Sequence, residues 1–209
     1  MDRRVSLSDP RLLTVTDPVD CHIYCGSDQY WYATKRQRLT GCGPSVAANL
    51  LFYMQRKENA ACCEATKESL LGLMNEIWSY VTPEFNGIPS TALLQQKLES
   101  YAAILSKRFQ FRVFNVPKDP IQRQLVDQLV RFLTEGLLDD CPIAFLNLCN
   151  GAVDTLEKWH WVTIVDLNYD KDTGTAYATI CDEGVCKRID LGLWLQSTTL
   201  GGGFLYFNM

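Results

Sequence analysis

The first long apolar stretch of the chain begins abruptly at a cysteine, in the run Leu39-Thr40-Gly41-Cys42-Gly43-Pro44-Ser45-Val46-Ala47-Ala48-Asn49-Leu50. Val46, Leu50 and Met54 recur on one helical stripe, with Ala47 and Leu51 beside it. Gly43, Pro44 and Ser45 suit a first helical turn, where backbone N–H groups have no helical partner, and suit a helix interior poorly. Cys42 therefore heads a helix, at the positive end of its dipole, an arrangement that favours the nucleophilic thiolate. The same run also fits a cysteine that is simply a small buried hydrophobe.

A thiol enzyme of the cysteine–histidine type needs a base, and the chain offers two histidines, His22 and His160. From His160 to Leu167 the sequence is rich in β-branched residues and reads as a strand. A polar turn follows at Asn168 to Gly174, then a second strand from Thr175 to Cys181. Folding this hairpin about Lys171 sets Asp182 opposite His160 on one face of the sheet. A carboxylate there can accept the imidazole N–H and fix the tautomer. A register slip of one residue replaces Asp182 with Glu183. Asp166, on the same strand as His160, lies too far along to touch the ring. The competing reading of His160 is a core histidine between Trp159 and Trp161.

A Cys-Gly-Pro-Ser helix start, a distant His-Trp-Val strand and a second strand ending in Asp together resemble papain-like cysteine peptidases. The resemblance spans roughly 37–182. It is closest to the C39-like branch, whose better-known members trim leader peptides of bacterial secreted peptides. It implies that Cys42 is the nucleophile, His160 the general base and acid, and Asp182 the orienting carboxylate. The family carries an oxyanion-hole glutamine six positions before the cysteine; here Arg36 occupies that position and Gln37 follows it. Gln37 is the nearest candidate for the role. The resemblance also implies a peptide or protein substrate and no cofactor. The same constellation serves amidases and thiol acyltransferases, and a scaffold that has lost catalysis and only binds a partner is a further alternative.

Composition narrows the class. Residues 1–209 read as one papain-like peptidase-type domain, long enough to bury roughly 70% of the unfolded surface. A net charge of −4 with no Lys/Arg cluster argues against a nucleic-acid partner. Met1 to Pro10 lacks the apolar core of a signal peptide, and no apolar run reaches the length of a membrane span, so a cytoplasmic location is expected. The oligomeric state stays open. Nine cysteines, an odd number without a secretion signal, suggest reduced thiols. Cys21-His22-x-x-Cys25 and Cys181-x4-Cys186 have spacings that zinc sites tolerate. The two pairs lie at opposite ends of the chain, so the expectation is no metal. Cys141, Cys149 and Cys181 fall in or beside expected buried strands, where cysteine is merely compact.

The remaining segments read as scaffold. An amphipathic helix covers 64–82 and stops at Pro83; Ser90 caps another with Leu94, Leu98 and Tyr101 inward. Strands are expected at Phe109 to Val116, Pro142 to Leu148, Lys187 to Leu191 and Phe204 to Asn208. Asp119 and Pro120 start a helix whose Leu125, Leu129, Phe132 and Leu133 face inward. Tyr30, Trp31 and Tyr32 are read as packing residues. Gly201-Gly202-Gly203 is a turn or close-approach loop, not a phosphate cradle. Helices first and strands last predict an α+β, papain-like fold: a helical part carrying the cysteine, packed on a mostly antiparallel sheet.

Overall fold

β-Branched and aromatic runs separated by short turns fill the C-terminal half, and in the computed structural model they pair into one large sheet. Residues 2–59, 61, 63–123 and 125–209 are described. Three short strands come first: β1 (Asp2–Ser6), β2 (Thr14–Thr16) and β3 (Ile23–Cys25). The helices α1 (Lys35–Thr40), α2 (Cys42–Glu58), α3 (Lys67–Trp78) and α4 (Thr91–Ile104) follow. Then come β4 (Gln110–Val116), α5 (Val126–Leu138), β5 (Ile143–Asn147), β6 (His160–Asp170), β7 (Thr175–Asp182) and β8 (Val185–Asp190). The short α6 (Leu191–Ser197) and β9 (Gly202–Asn208) close the chain. The strand order is β4-β9-β5-β6-β7-β8, with β1 also paired to β6, and every pairing is antiparallel. The fold is thus α+β with a mostly antiparallel sheet.

Helix α2 is the spine. Gly43 to Met54 are buried without a break, so this helix is wrapped on all sides and has no solvent stripe over that length. It packs between α3 and β6. Asn49, one of few buried polar side chains, stitches three pieces together. Its Nδ2 donates to Thr163 Oγ1 of β6 at 3.0 Å, and its Oδ1 accepts from the Ser27 N–H at 2.8 Å. The small hairpin of β2 and β3 leads directly into the Ser27 segment.

Several boundaries differ from the sequence reading. Thr66 caps α3, which ends at Trp78 with Ser79 as its C-cap, well before Pro83. Ser90 caps α4 as expected, accepting from the Leu93 N–H. Asp119 caps only a 3₁₀ turn at Pro120–Gln122. Arg123 ends that turn, its guanidinium donating to the carbonyls of Pro117, Lys118 and Leu195, and α5 starts only at Val126. Leu125 therefore sits outside the helix and is 72% exposed, not inward. Helix α6 and strands β1 to β3 have no counterpart in the sequence reading. Gly202 is a close-approach residue: a Cβ there would lie 2.0 Å from the Leu146 carbonyl oxygen. Among the described residues, no helix is long and apolar enough to cross a membrane.

Candidate active site

Two glycines decide how Cys42 is presented. Helix α1 is held by a capping box in which Thr34 and Gln37 bond reciprocally. Gly41 ends α1 and caps α2; a Cβ on it would lie 2.4 Å from the Gln37 carbonyl oxygen. A Cβ on Gly43 would lie 2.8 Å from Ile88 Cδ1. A side chain at Gly41 would thus meet backbone, whereas one at Gly43 would have to displace the end of Ile88. Cys42 itself is half-buried at the first position of α2, where its N–H has no intrahelical partner.

His160 opens β6 and is 6% exposed; Asp182 closes β7 and is 3% exposed. His160 Nε2 lies 2.7 Å from Asp182 Oδ1, and the other carboxylate oxygen accepts from Lys187 Nζ at 2.7 Å. The pairing differs from a simple fold about Lys171. Thr163 pairs with Cys181, which aligns Asp182 with Val162, on the same face as His160. The register shifts between Ile164 and Asp166, a bulge that displaces the strand end, so acid and imidazole meet diagonally. Asp166 is turned elsewhere and bonds Arg4.

The electrostatics favour an imidazolium. Burial opposes charge on His160, but the hydrogen bonds to Asp182 and Cys42 and the attraction of Cys42 outweigh it, and its pKa is pushed up to about 10. With Nε2 on Asp182, Nδ1 is left for Cys42. Burial would raise the Asp182 carboxyl, yet its bonds to His160 and Lys187 hold it below the ordinary carboxylate range.

The cavity at this centre is tight, about 20 Å³, and is lined by Cys42, His160, Asp182, Gln29 and Glu183 among others. Gln37 is not among its lining residues, and its side-chain oxygen is engaged by Thr34. Gln29 takes that place. It lies in a 3₁₀ turn capped by Asp28, and its Oε1 is buried without a hydrogen-bond partner. Nothing in the spacing to Cys42 marks Gln29 in the sequence; the only local signal is the Asp-capped turn. Glu183 stands at φ +50° in the tight β7–β8 turn, with Oε1 likewise buried and unpartnered. Burial, then Asp182 and Glu157, raise its carboxyl pKa. On the other side of Cys42 a cleft of about 230 Å³ with a mixed lining opens between Leu39, Thr40, Phe85, Asn86, Trp159 and Trp161.

The cysteines depart from the fully reduced picture. Cys25 and Cys186 form a disulfide, with Cys181 Sγ 3.0 Å from Cys25 Sγ. Cys141 and Cys181 are buried as expected, Cys149 is half-exposed, and Cys62 lies outside the described residues.

A helix thus carries Cys42, and the neighbouring antiparallel strands β6 and β7 carry His160 and Asp182. No family model matches the chain, and no curated protein matches it. Among solved structures it is similar to the crystal structure of UfSP from C. elegans, with TM-score 0.55 and 9% identity over 99% of this chain. The match covers 34% of that chain, so the present sequence spans about a third of its length. At this identity the likeness concerns the fold, which is papain-like.

Proposed function

We propose that the chain is a thiol-dependent hydrolase that cleaves peptide or amide bonds through Cys42, His160 and Asp182. The observation that carries this reading is the buried His160, bonded to Asp182 at 2.7 Å and to the Cys42 thiol on its other side. The Cys42 thiolate attacks the substrate carbonyl carbon, and the electron pair moves onto oxygen. In this reading the Cys42 N–H holds that oxyanion, and Gln29, which lines the cavity where Gln37 does not, is the candidate second donor through its carboxamide N–H. The intermediate collapses as the C–N bond breaks, and His160 gives its proton to the departing amine. Water, deprotonated by His160, then attacks the thioester, releasing the carboxylic acid and restoring the thiolate. Asp182 holds the ring and stabilises its charge; Lys187 holds Asp182.

Within the papain-like fold, the C39-like branch is proposed on the resemblance of the Cys-Gly-Pro-Ser helix start and the His-Trp-Val strand. Residues 1–209 form one peptidase-type domain in this reading. The side chains of Leu39, Phe85, Trp159 and Trp161 in the cleft beside Cys42 suit a substrate with an aromatic or branched aliphatic side chain near the scissile bond. Hydrolysis of a fluorogenic peptide library by wild type and Cys42→Ala tests the proposal. Turnover confined to wild type, biased to such side chains and weakened in KM by Trp159→Ala, is the expected result. Equal turnover in both proteins would reject Cys42 as nucleophile.

A further inference from the structure

The objection to a metal site in the sequence is distance along the chain, and the fold removes it. Strand β3 carries Cys25 against the β7–β8 hairpin, where Cys181 and Cys186 are direct cross-strand partners. The approach does not depend on sulfur bonding. The Cys25 N–H donates to the Gly184 carbonyl at 2.7 Å, and the Gly184 N–H donates to the Ser27 carbonyl at 3.1 Å. The three Sγ atoms lie within 4.8 Å of one another. All three cysteines line a cavity of about 500 Å³, whose other walls include Thr14, Tyr24, Val165 and Arg11.

We propose that in the reduced chain Cys25, Cys181 and Cys186 form a three-thiolate zinc site, with a cavity water as fourth ligand. The Cys25–Cys186 disulfide is then its oxidised, metal-free form. Thiolates select soft or borderline ions over calcium and magnesium. Tetrahedral zinc takes Zn–S distances of about 2.3 Å, which sets sulfurs about 3.8 Å apart. The Cα atoms of Cys25 and Cys186 are 5.7 Å apart, which leaves their sulfurs room for this spacing once the disulfide is opened. Cys186 is exposed, one residue into β8. A dithiol reductant supplies the two electrons and two protons that open the disulfide, becoming a cyclic disulfide itself. Zinc then displaces three thiol protons. The resulting site carries one negative charge, and Arg11 lines the same cavity. The ion would pin the hairpin that bears Asp182 and Lys187 to β3. The inference is independent of Cys42 chemistry.

The test uses the full chain, reduced with dithiothreitol, freed of it without oxygen, and loaded with zinc alone. Expected are one tightly held zinc per chain and an X-ray absorption shell of three sulfurs near 2.3 Å plus one oxygen. Cobalt in place of zinc should show sulfur-to-metal charge-transfer absorption. Stoichiometry should fall from one to near zero in Cys25→Ser, Cys181→Ser and Cys186→Ser, and stay at one in Cys42→Ala and Cys149→Ser. The absorption shell is read on wild type, so a variant that fails to fold does not decide the matter. No retained zinc, a shell of nitrogen and oxygen, binding of Cu⁺ alone, or a site lost with Cys42 would each overturn the assignment.

Discussion

His160 is held by two partners whose demands agree, since its hydrogen bonds to Asp182 and to Cys42 both favour the imidazolium. A histidine whose folded pKa stands above its unfolded value stabilises the fold fully below the unfolded value, and loses that contribution as pH rises through the folded one. For His160 that window runs from 6.5 to about 10. The difference in urea midpoint between wild type and His160→Gln is therefore expected to be largest near about pH 6 and gone above about pH 10. A gap that widens with pH would contradict the pairing. The same pairing predicts that alkylation of Cys42, read by mass spectrometry, slows in His160→Ala. At this scale the sequence is most legible. Cys42 and Asp182 sit at element ends marked by nearby glycines and His160 opens a β-branched run, whereas Gln29 has no such mark relative to Cys42.

Among the elements, glycines make the clearest contrast. Gly202 lies where β9 crosses β5, with φ +157° and the Leu146 carbonyl in the space of a Cβ. Gly72 lies on the exposed face of α3, and a methyl group placed there would meet nothing within 4 Å. Gly202→Ala should destabilise the protein by about 1–3 kcal/mol or more through displacement of β5. Gly72→Ala should stabilise it by about 0.5–1 kcal/mol through helix propensity alone. Thermal or urea unfolding of the two variants checks both signs. The elements legible in the sequence are those with a cap or a period of their own, such as α4 behind Ser90 and β4. Asp119 and Pro120 are a genuine start signal, so the sequence places α5 too early. Arg123, reaching the Leu195 carbonyl far along the chain, ends the turn they begin.

Across the whole molecule, Asn49 links the cysteine helix to the histidine strand and to the loop that carries Gln29. Asn49→Ala removes both bonds and leaves the Ser27 N–H and Thr163 hydroxyl without that partner in a buried place, a cost of about 1–3 kcal/mol. The accompanying loss should fall on kcat, because three walls of the site shift relative to one another. A stability loss with unchanged kcat would show that Asn49 supports the fold without positioning the site. The sequence by itself determined a helix headed by Cys42, strands at His160 and before Asp182, and an α+β order, because caps, turns and periodicity act over a few neighbouring residues. Tertiary structure alone decided that a bulge sets His160 and Asp182 on a diagonal, that Gln29 and not Gln37 lines the cavity, and that Cys25 meets Cys181 and Cys186. Those contacts join segments far apart in the chain, and their energy arises only when the sheet and the helical layer are packed together.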